Sequence, residues 1–191
     1  MAVTISGTSG ITTPGMSSSG DITLAGSGVE LLNNSGRIVV GQSGSVIQVV
    51  SSTLTTMVTG TADVWTDVLS VSITPTSTSS KVLVMFSTNF SASGNEVNAQ
   101  VLRNGSSITG YTGGDVTNYG WTMGSQYSAT GWGGQSVASQ YLDSPASTSA
   151  LTYKLQAKQN VVTLYVNRSS GTTVNDSQGG ITTITVMEIA Q

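Results

Sequence analysis

Few residues of this chain could carry out acid–base, nucleophilic or metal chemistry. The 191 residues include no histidine and no cysteine, which excludes the Ser-His-Asp and Cys-His catalytic systems and the usual ligands of zinc. A pair of carboxylates, as in glycosidases, is the remaining possibility. The nine acidic residues are dispersed along the chain: Asp21, Glu30, Asp63, Asp67, Glu96, Asp115, Asp143, Asp176 and Glu188. We therefore predict that the protein is not an enzyme and that it uses no cofactor and no metal.

Residues 109–135 are the segment best suited to bind a ligand. Five of the eleven aromatic residues lie in this glycine-rich stretch: Tyr111, Tyr119, Trp121, Tyr127 and Trp132. Large rigid rings bind sugars or peptides with little loss of conformational entropy, so these five residues are the candidate receptor-binding site. Alternatively, the rings hold a long loop against its own domain or line a contact between subunits, because a long ordered loop must be packed by something.

The bulk composition indicates a protein rich in strands and turns. Ser and Thr together number 59, glycine numbers 23, and only 8% of the residues are charged. Six basic residues and a net charge of −3 argue against a nucleic-acid surface. No apolar run has the length of a membrane helix, and "MAVTISGTSG" lacks the features of a secretory signal. We therefore expect no nucleic-acid partner, no membrane insertion and synthesis in a cytosol.

The N-terminal part of the chain, residues 1–60, repeats Ser-Gly turns that are followed by short apolar runs. The turns begin at Ser9, Ser19, Ser35 and Ser43. Runs such as "DITL", "VELL" and "RIVV" are too short to form a stable sheet alone. If three copies of the chain wind together, each run can pair with a neighbouring subunit, which predicts an intertwined shaft. The alternative is a flexible Gly/Ser linker in which the apolar residues occur by chance.

The remaining residues, 61–191, predict a head domain built from strands. Candidate strands are "VWTDVLSVSITP", "KVLVMFSTNF", "VNAQVLRNGSSI", "QSVASQYLDSP", "ALTYKLQAK", "VVTLYVNRS" and "GITTITVMEIA". The Asn104-Gly105 pair is a strong hairpin signal, and "KVLVMF" is apolar enough to be buried on both faces of a sheet. No segment has the 3.6-residue period of a helix. The pattern predicts an all-β sandwich or jelly roll.

Three side chains of this domain carry specific expectations. Trp65 begins the first long strand, and we expect it to be buried at the base of the head. Strict alternation along that strand places Asp67 on the apolar face, which indicates an edge strand or a strand end. In "YLDSP", Asp143 is predicted to form an Asx turn that opens toward Pro145.

Several stretches give the chain a resemblance to a known group of proteins. "SITPTSTSSKVLVMFSTNFS", "VLRNGSSI", "YLDSPASTSALTYKLQA" and "ITTITVMEIA" resemble the C-terminal head domain of tailed-bacteriophage fibre and receptor-binding proteins, above all those of cyanophages and other phages of aquatic bacteria. The opening "ISGTSGITTPG" is similar to the N-terminal segment of the same proteins. The likeness is weakest over residues 109–135.

The resemblance implies a homotrimer on a virion, with a β-rich shaft and a jelly-roll head similar in architecture to C1q and tumour-necrosis-factor trimers. It implies that the N-terminal segment docks to a baseplate or tail protein, and that the head attaches to a glycan or protein of the host surface. The protein would then be a tail-fibre component of the virion that is assembled in the host cytoplasm. Alternatives are a carbohydrate-binding module and a fibre that decorates the capsid.

Overall fold

The computed structural model of the chain describes residues 43–91, 96–108, 122–125, 135–168 and 179–191, with backbone alone for residues 96 and 122–125. The chain divides into two compact units, Met1–Val40 and Gly41–Gln191. All described residues belong to the second unit. The part of the Ser-Gly repeat up to residue 42 lies outside the described residues, so the intertwined shaft stays a prediction.

The regular structure of the described residues consists of strands in two antiparallel sheets. The strands are β1 (Val46–Leu54), β2 (Val58–Gly60), β3 (Thr66–Ile73), β4 (Lys81–Ser91), β5 (Glu96–Arg103), β6 (Ser106–Ser107), β7 (Thr122–Ser125), β8 (Gln135–Asp143), β9 (Leu151–Gln159), β10 (Leu164–Val166) and β11 (Thr182–Ile189). No helix occurs within these described ranges. The prediction of an all-β fold is confirmed.

The first sheet has six strands. Its centre is β4, which lies between β8 on one side and β11 on the other, and β1 follows β11 at the edge. Two short strands extend this sheet: β10 pairs with the last residues of β4, and β2 pairs with β10. Residues 46–60 were assigned to the shaft in the sequence analysis, but they contribute β1 and β2 to this sheet.

The second sheet has five strands. β9 lies between β3 and β5, and both β6 and β7 pair with the other side of β5. Asn104 and Gly105 form the turn between β5 and β6, with φ angles of 50° and 86°. Positive φ at both central residues is the requirement of a two-residue type I′ hairpin, so the hairpin predicted from Asn-Gly is confirmed.

The two sheets pack face to face around one apolar core. Alternate residues of the central strands are buried, as expected when one face of each sheet is covered by the other. They include Val82, Val84 and Phe86 in β4, Val97, Ala99 and Val101 in β5, Leu151, Tyr153 and Leu155 in β9, and Ile184 and Val186 in β11. The arrangement is that of a sandwich.

The sequence predicts that β4 is buried on both faces, but only one of its faces is buried. Val82, Val84 and Phe86 point into the core, whereas Leu83 and Met85, on the opposite side, are only half-buried. The prediction is wrong because the second sheet covers only one face of β4, and the other face of the strand points outward. The apolar run therefore supplies both a core face and an apolar outer face.

A β-bulge at the start of β3 alters the register that alternation predicts. Asp67 lies opposite Gln156 and Leu69 lies opposite Leu155, so Val68 is an extra residue between them. A bulge of this kind shifts the phase of the side chains by one residue. As a result Val68 is buried and Asp67 is exposed, which corrects the placement of Asp67 on the apolar face. β3 is an edge strand, as that residue indicated.

Trp65 immediately precedes β3 and is half-buried. Lys158 Nζ lies 5.7 Å from the centroid of its ring, and Lys158 belongs to the outward side of β9. The prediction that Trp65 is buried at the base of the head is therefore wrong. The turn before β3 places its side chain on the outer side of the five-stranded sheet and not between the two sheets.

Candidate functional site

The five candidate receptor-binding residues lie outside the described residues: Tyr111, Tyr119, Trp121, Tyr127 and Trp132. Between residues 109 and 134 the structure describes only the backbone of β7, which pairs with β5. Their role stays a prediction. The described side chains form four other arrangements: a buried ion cluster, a buried glutamate, a polar sheet face and an apolar sheet face.

Arg103, Asp143 and Tyr153 form an ion cluster that joins the two sheets. Arg103 Nη1 donates to both carboxylate oxygens of Asp143, at 2.7 and 2.6 Å, and the Tyr153 hydroxyl donates to Oδ2 at 2.7 Å. Asp143 ends β8 in one sheet, whereas its two partners belong to β5 and β9 in the other. The predicted local Asx turn is thus not the main role of Asp143, because its carboxylate links the sheets.

The electrostatics of this cluster favour a structural role. Burial and the hydrogen bond to Asp143 raise the pKa of Tyr153, so the phenol keeps its proton. Burial acts to lower the pKa of Arg103, but the hydrogen bond and the charge of Asp143 outweigh it and raise that pKa. Both donors therefore stay engaged with one carboxylate. Asp143 could act as a base or nucleophile only by giving up these bonds.

Glu188 is a second carboxylate inside the sandwich, and its side chain is fully buried. Oε1 accepts hydrogen bonds from the backbone N–H and the hydroxyl of Thr76, both at 2.7 Å. Oε2 accepts from Gln48 Nε2 at 2.6 Å. Burial by itself raises the pKa of Glu188, but hydrogen bonds such as these outweigh burial and hold the pKa below its ordinary value. The carboxylate therefore ties β1 and the loop after β3 to β11.

We expect Glu188 to make the fold sensitive to acid. Because its folded-state pKa is lowered, the group stabilises the fold above its unfolded-state pKa, about 4.3, and this contribution is lost as the pH falls through the folded-state pKa. Thermal unfolding followed from neutral into acidic pH should show a smaller loss of Tm in Glu188→Gln than in the wild type. Equal pH profiles for the two proteins would contradict this account.

The outward side of the five-stranded sheet carries the third arrangement, here called the polar face. It consists of Asp63, Trp65, Asp67, Asn98, Gln100, Lys154, Gln156 and Lys158. At its middle, Gln100 Nε2 donates to Gln156 Oε1 at 2.9 Å, and Gln156 Nε2 donates to Asp67 Oδ1 at 2.7 Å. Lys154 Nζ donates to Asp67 Oδ2 at 2.7 Å. The hydrogen bonds from Lys154 and Gln156 lower the pKa of Asp67.

A tight turn, residues 60–66, brings Asp63 and Trp65 to one end of the polar face. The Asp63 N–H donates to the Gln159 carbonyl at 2.7 Å, and Asp63 has a φ of 59°. Lys158 Nζ donates to Asp63 Oδ1 at 3.0 Å and also lies 5.7 Å from the Trp65 ring centroid. One ammonium group thus orients both a carboxylate and an indole ring.

Sequence reasoning missed the polar face, although β9 contained a signal for it. "LTYKLQAKQ" alternates apolar residues with Thr152, Lys154, Gln156 and Lys158, which places four polar side chains on the outward side of one strand. The contributions of Asp63 and Asp67 could not be found in the same way. They depend on the turn and on the bulge, which bring them onto β9 across the sheet.

The outward side of the six-stranded sheet is apolar at one end, and this part is here called the apolar face. Leu142, Leu83, Met187 and Val49 are successive cross-strand neighbours on β8, β4, β11 and β1. Leu142 is 45% exposed and Val49 is 54% exposed. A shallow hollow of about 460 Å³ lies on the same sheet, lined by Met85, Phe86, Ala138, Ser139 and Gln140. The row of four crosses the width of the sheet without a charged residue.

A scan against protein-family models matched none of them, and a search of curated proteins found none similar to this chain. Within the part of the chain that the structure describes, no helix is long and apolar enough to cross a membrane. The same residues include no group of three or more His, Cys, Asp or Glu side chains that could hold a metal ion.

Proposed function

We propose that this protein is a non-enzymatic structural and attachment protein: a homotrimeric fibre of a phage virion that attaches to the host cell surface. The apolar face is the observation that carries the proposal. In this assembly the N-terminal segment docks to a baseplate or tail protein, and the head, a jelly roll, binds a glycan or a protein of the host surface. The sandwich of two sheets and the resemblance of its strands to phage fibre heads support the same reading.

The apolar face is better suited to a contact between subunits than to water. Apolar surface removed from water stabilises an assembly by roughly 25 cal/mol per Å², and soluble monomers rarely leave large contiguous apolar patches exposed. Leu142, Leu83, Met187 and Val49 form a continuous apolar row across this face, and its two ends, Leu142 and Val49, are exposed. In a closed ring of three, this face of each subunit meets a different surface of its neighbour.

We expect Met187→Lys to dissociate the assembly. Met187 lies within the row, between Leu83 and Val49, and a lysine there would have to bury an unpaired ammonium group in the contact. Sedimentation velocity should give three times the chain mass of 19.5 kDa for the wild type and a single chain mass for the variant. Circular dichroism should show the same strand content in both.

The matched control is Ser72→Lys. Ser72 is exposed on the outward side of the other sheet, so this change adds the same charge away from the apolar face and should leave the trimer intact. A Met187→Lys protein that keeps the wild-type mass would show that the apolar face is not the interface. A wild type that is monomeric and still binds glycans would favour the carbohydrate-binding module.

A further inference from the structure

We infer that Asn104 is a site of spontaneous covalent modification, at which its side-chain amide is converted to aspartate or isoaspartate through a cyclic imide formed with the Gly105 nitrogen. The two residues form the turn between β5 and β6, which belongs to neither the polar face nor the apolar face. The site is therefore independent of the proposed function. Three observations support it: an exposed Asn-Gly turn, a backbone donor on the amide oxygen and open space around Gly105.

The first observation is the exposure of the turn. Asn104, Gly105 and the two serines that follow them are all exposed, so water reaches both members of the pair. Their φ angles of 50° and 86° are those of the two-residue hairpin turn in which Asn-Gly is favoured. The reacting groups are thus in contact with solvent in the folded chain, and no buried group has to be exposed first.

The reaction needs only these two residues and water. The backbone nitrogen of Gly105 gives up its proton and attacks Cγ of Asn104, which closes a five-membered ring, and the Cγ–Nδ2 bond breaks as that nitrogen leaves with the proton as ammonia. Water then opens the ring at one of its two carbonyl carbons. Opening at Cγ gives aspartate, whereas opening at the backbone carbonyl carbon gives isoaspartate, whose main chain is longer by one carbon.

The second observation is a hydrogen bond on the carbonyl that is attacked. The Thr152 N–H donates to Asn104 Oδ1 at 2.9 Å, and the Thr152 carbonyl accepts from the Asn104 N–H, also at 2.9 Å. Negative charge develops on Oδ1 when the nitrogen attacks Cγ, and a fixed backbone donor at this distance stabilises such charge. Strand β9 therefore gives the folded chain an oxyanion donor that the unfolded chain lacks.

The third observation is the open space around Gly105, which has no Cβ to hinder its nitrogen and where an added Cβ would meet nothing within 4 Å. Asn167 provides the contrast within the same chain. It also has a positive φ, of 58°, but it is buried and precedes Arg168. Its amide nitrogen donates to two backbone carbonyls, at 3.0 and 3.1 Å, which hold the leaving group in place. Asn167 should therefore stay unmodified.

Peptide mass spectrometry of the aged full chain tests this site. The folded chain and the chain unfolded in concentrated urea are kept at the same mildly alkaline pH and temperature, and the replacement of the amide by a carboxyl group is followed at each asparagine. We expect Asn104 to be modified about tenfold faster in the folded chain. A donor in a closed active site supplies roughly 10²–10³, and the smaller factor reflects the exposure of the turn to water.

Asn104→Gly is the matched control, because Gly-Gly keeps the same type of turn but has no amide to lose. Its peptide should show no mass change with time, while its circular dichroism stays that of the wild type. Modification of Asn104 that is no faster in the folded chain than in urea would overturn the inference, since the rigid turn would then protect the amide. Modification of Asn167 at the rate of Asn104 in the folded chain would overturn it as well, because Asn167 lacks the exposed Asn-Gly turn.

Discussion

Asp143→Ala is expected to lower the free energy of unfolding by about 3–5 kcal/mol, the usual effect of removing one partner from a buried ion pair. Asp143 is only 6% exposed and accepts hydrogen bonds from Arg103 and Tyr153. Without the carboxylate, the fully buried Tyr153 hydroxyl and the partly buried guanidinium both lose their acceptor. The contact between the two sheets at this end also disappears. Chemical denaturation at one fixed protein concentration measures the change, because assembly shifts apparent stability.

Asp67→Ala is the control for that result. Asp67 also accepts from a cation and a neutral donor, Lys154 and Gln156, but its side chain is 58% exposed. Exposed pairs of this kind contribute at most about 1 kcal/mol. Equal losses for the two variants would show that the Arg103–Asp143–Tyr153 cluster is not a buried clamp between the sheets.

Leu155→Ala is expected to be similarly damaging, with a loss of about 2–5 kcal/mol. Leu155 is fully buried and lies at the centre of β9, opposite Leu69 on one side and Val101 on the other. Truncation removes buried apolar atoms and leaves a cavity that two flanking strands cannot collapse to fill. Denaturant midpoints at constant protein concentration give the comparison with the wild type.

Leu102→Ala provides the same change on the other side of the sheet. Leu102 is half-buried and lies opposite Lys154 on the outward side, so its truncation should cost well under half as much as that of Leu155. If both variants lost the same stability, the space between the sheets would not be the core that the alternation of β5 and β9 indicates.

The strands themselves were predictable from the sequence because their signals are local. Alternating apolar residues mark β9 and β11, and the Asn104-Gly105 pair marks the hairpin after β5, since both residues adopt the positive φ that this turn requires. Neither signal depends on residues elsewhere in the chain. The all-β class and the sandwich arrangement follow from such signals taken together.

The errors concern residues whose positions depend on distant partners. Asp143 reaches Arg103, which is 40 positions away, and no local pattern distinguishes that contact from an Asx turn. The bulge at Val68 shifts Asp67 outward, and its position is determined by pairing with β9. Trp65 lies in the turn before β3, and the hydrogen bond from Asp63 to Gln159 holds this turn against β9. Alternation predicts which residues share a face only until an extra residue enters the strand.

The measurement that tests the central claim most directly is the detection of this chain on intact particles. A short peptide tag placed after Gln191, which is exposed, can be labelled with gold on virions purified from the bacterium that carries the gene. The account predicts gold on the outside of the tail. Purified, infectious particles that lack the tagged chain, in cultures whose cells contain it, would contradict the proposal, and gold confined to the capsid would contradict its placement in a tail fibre.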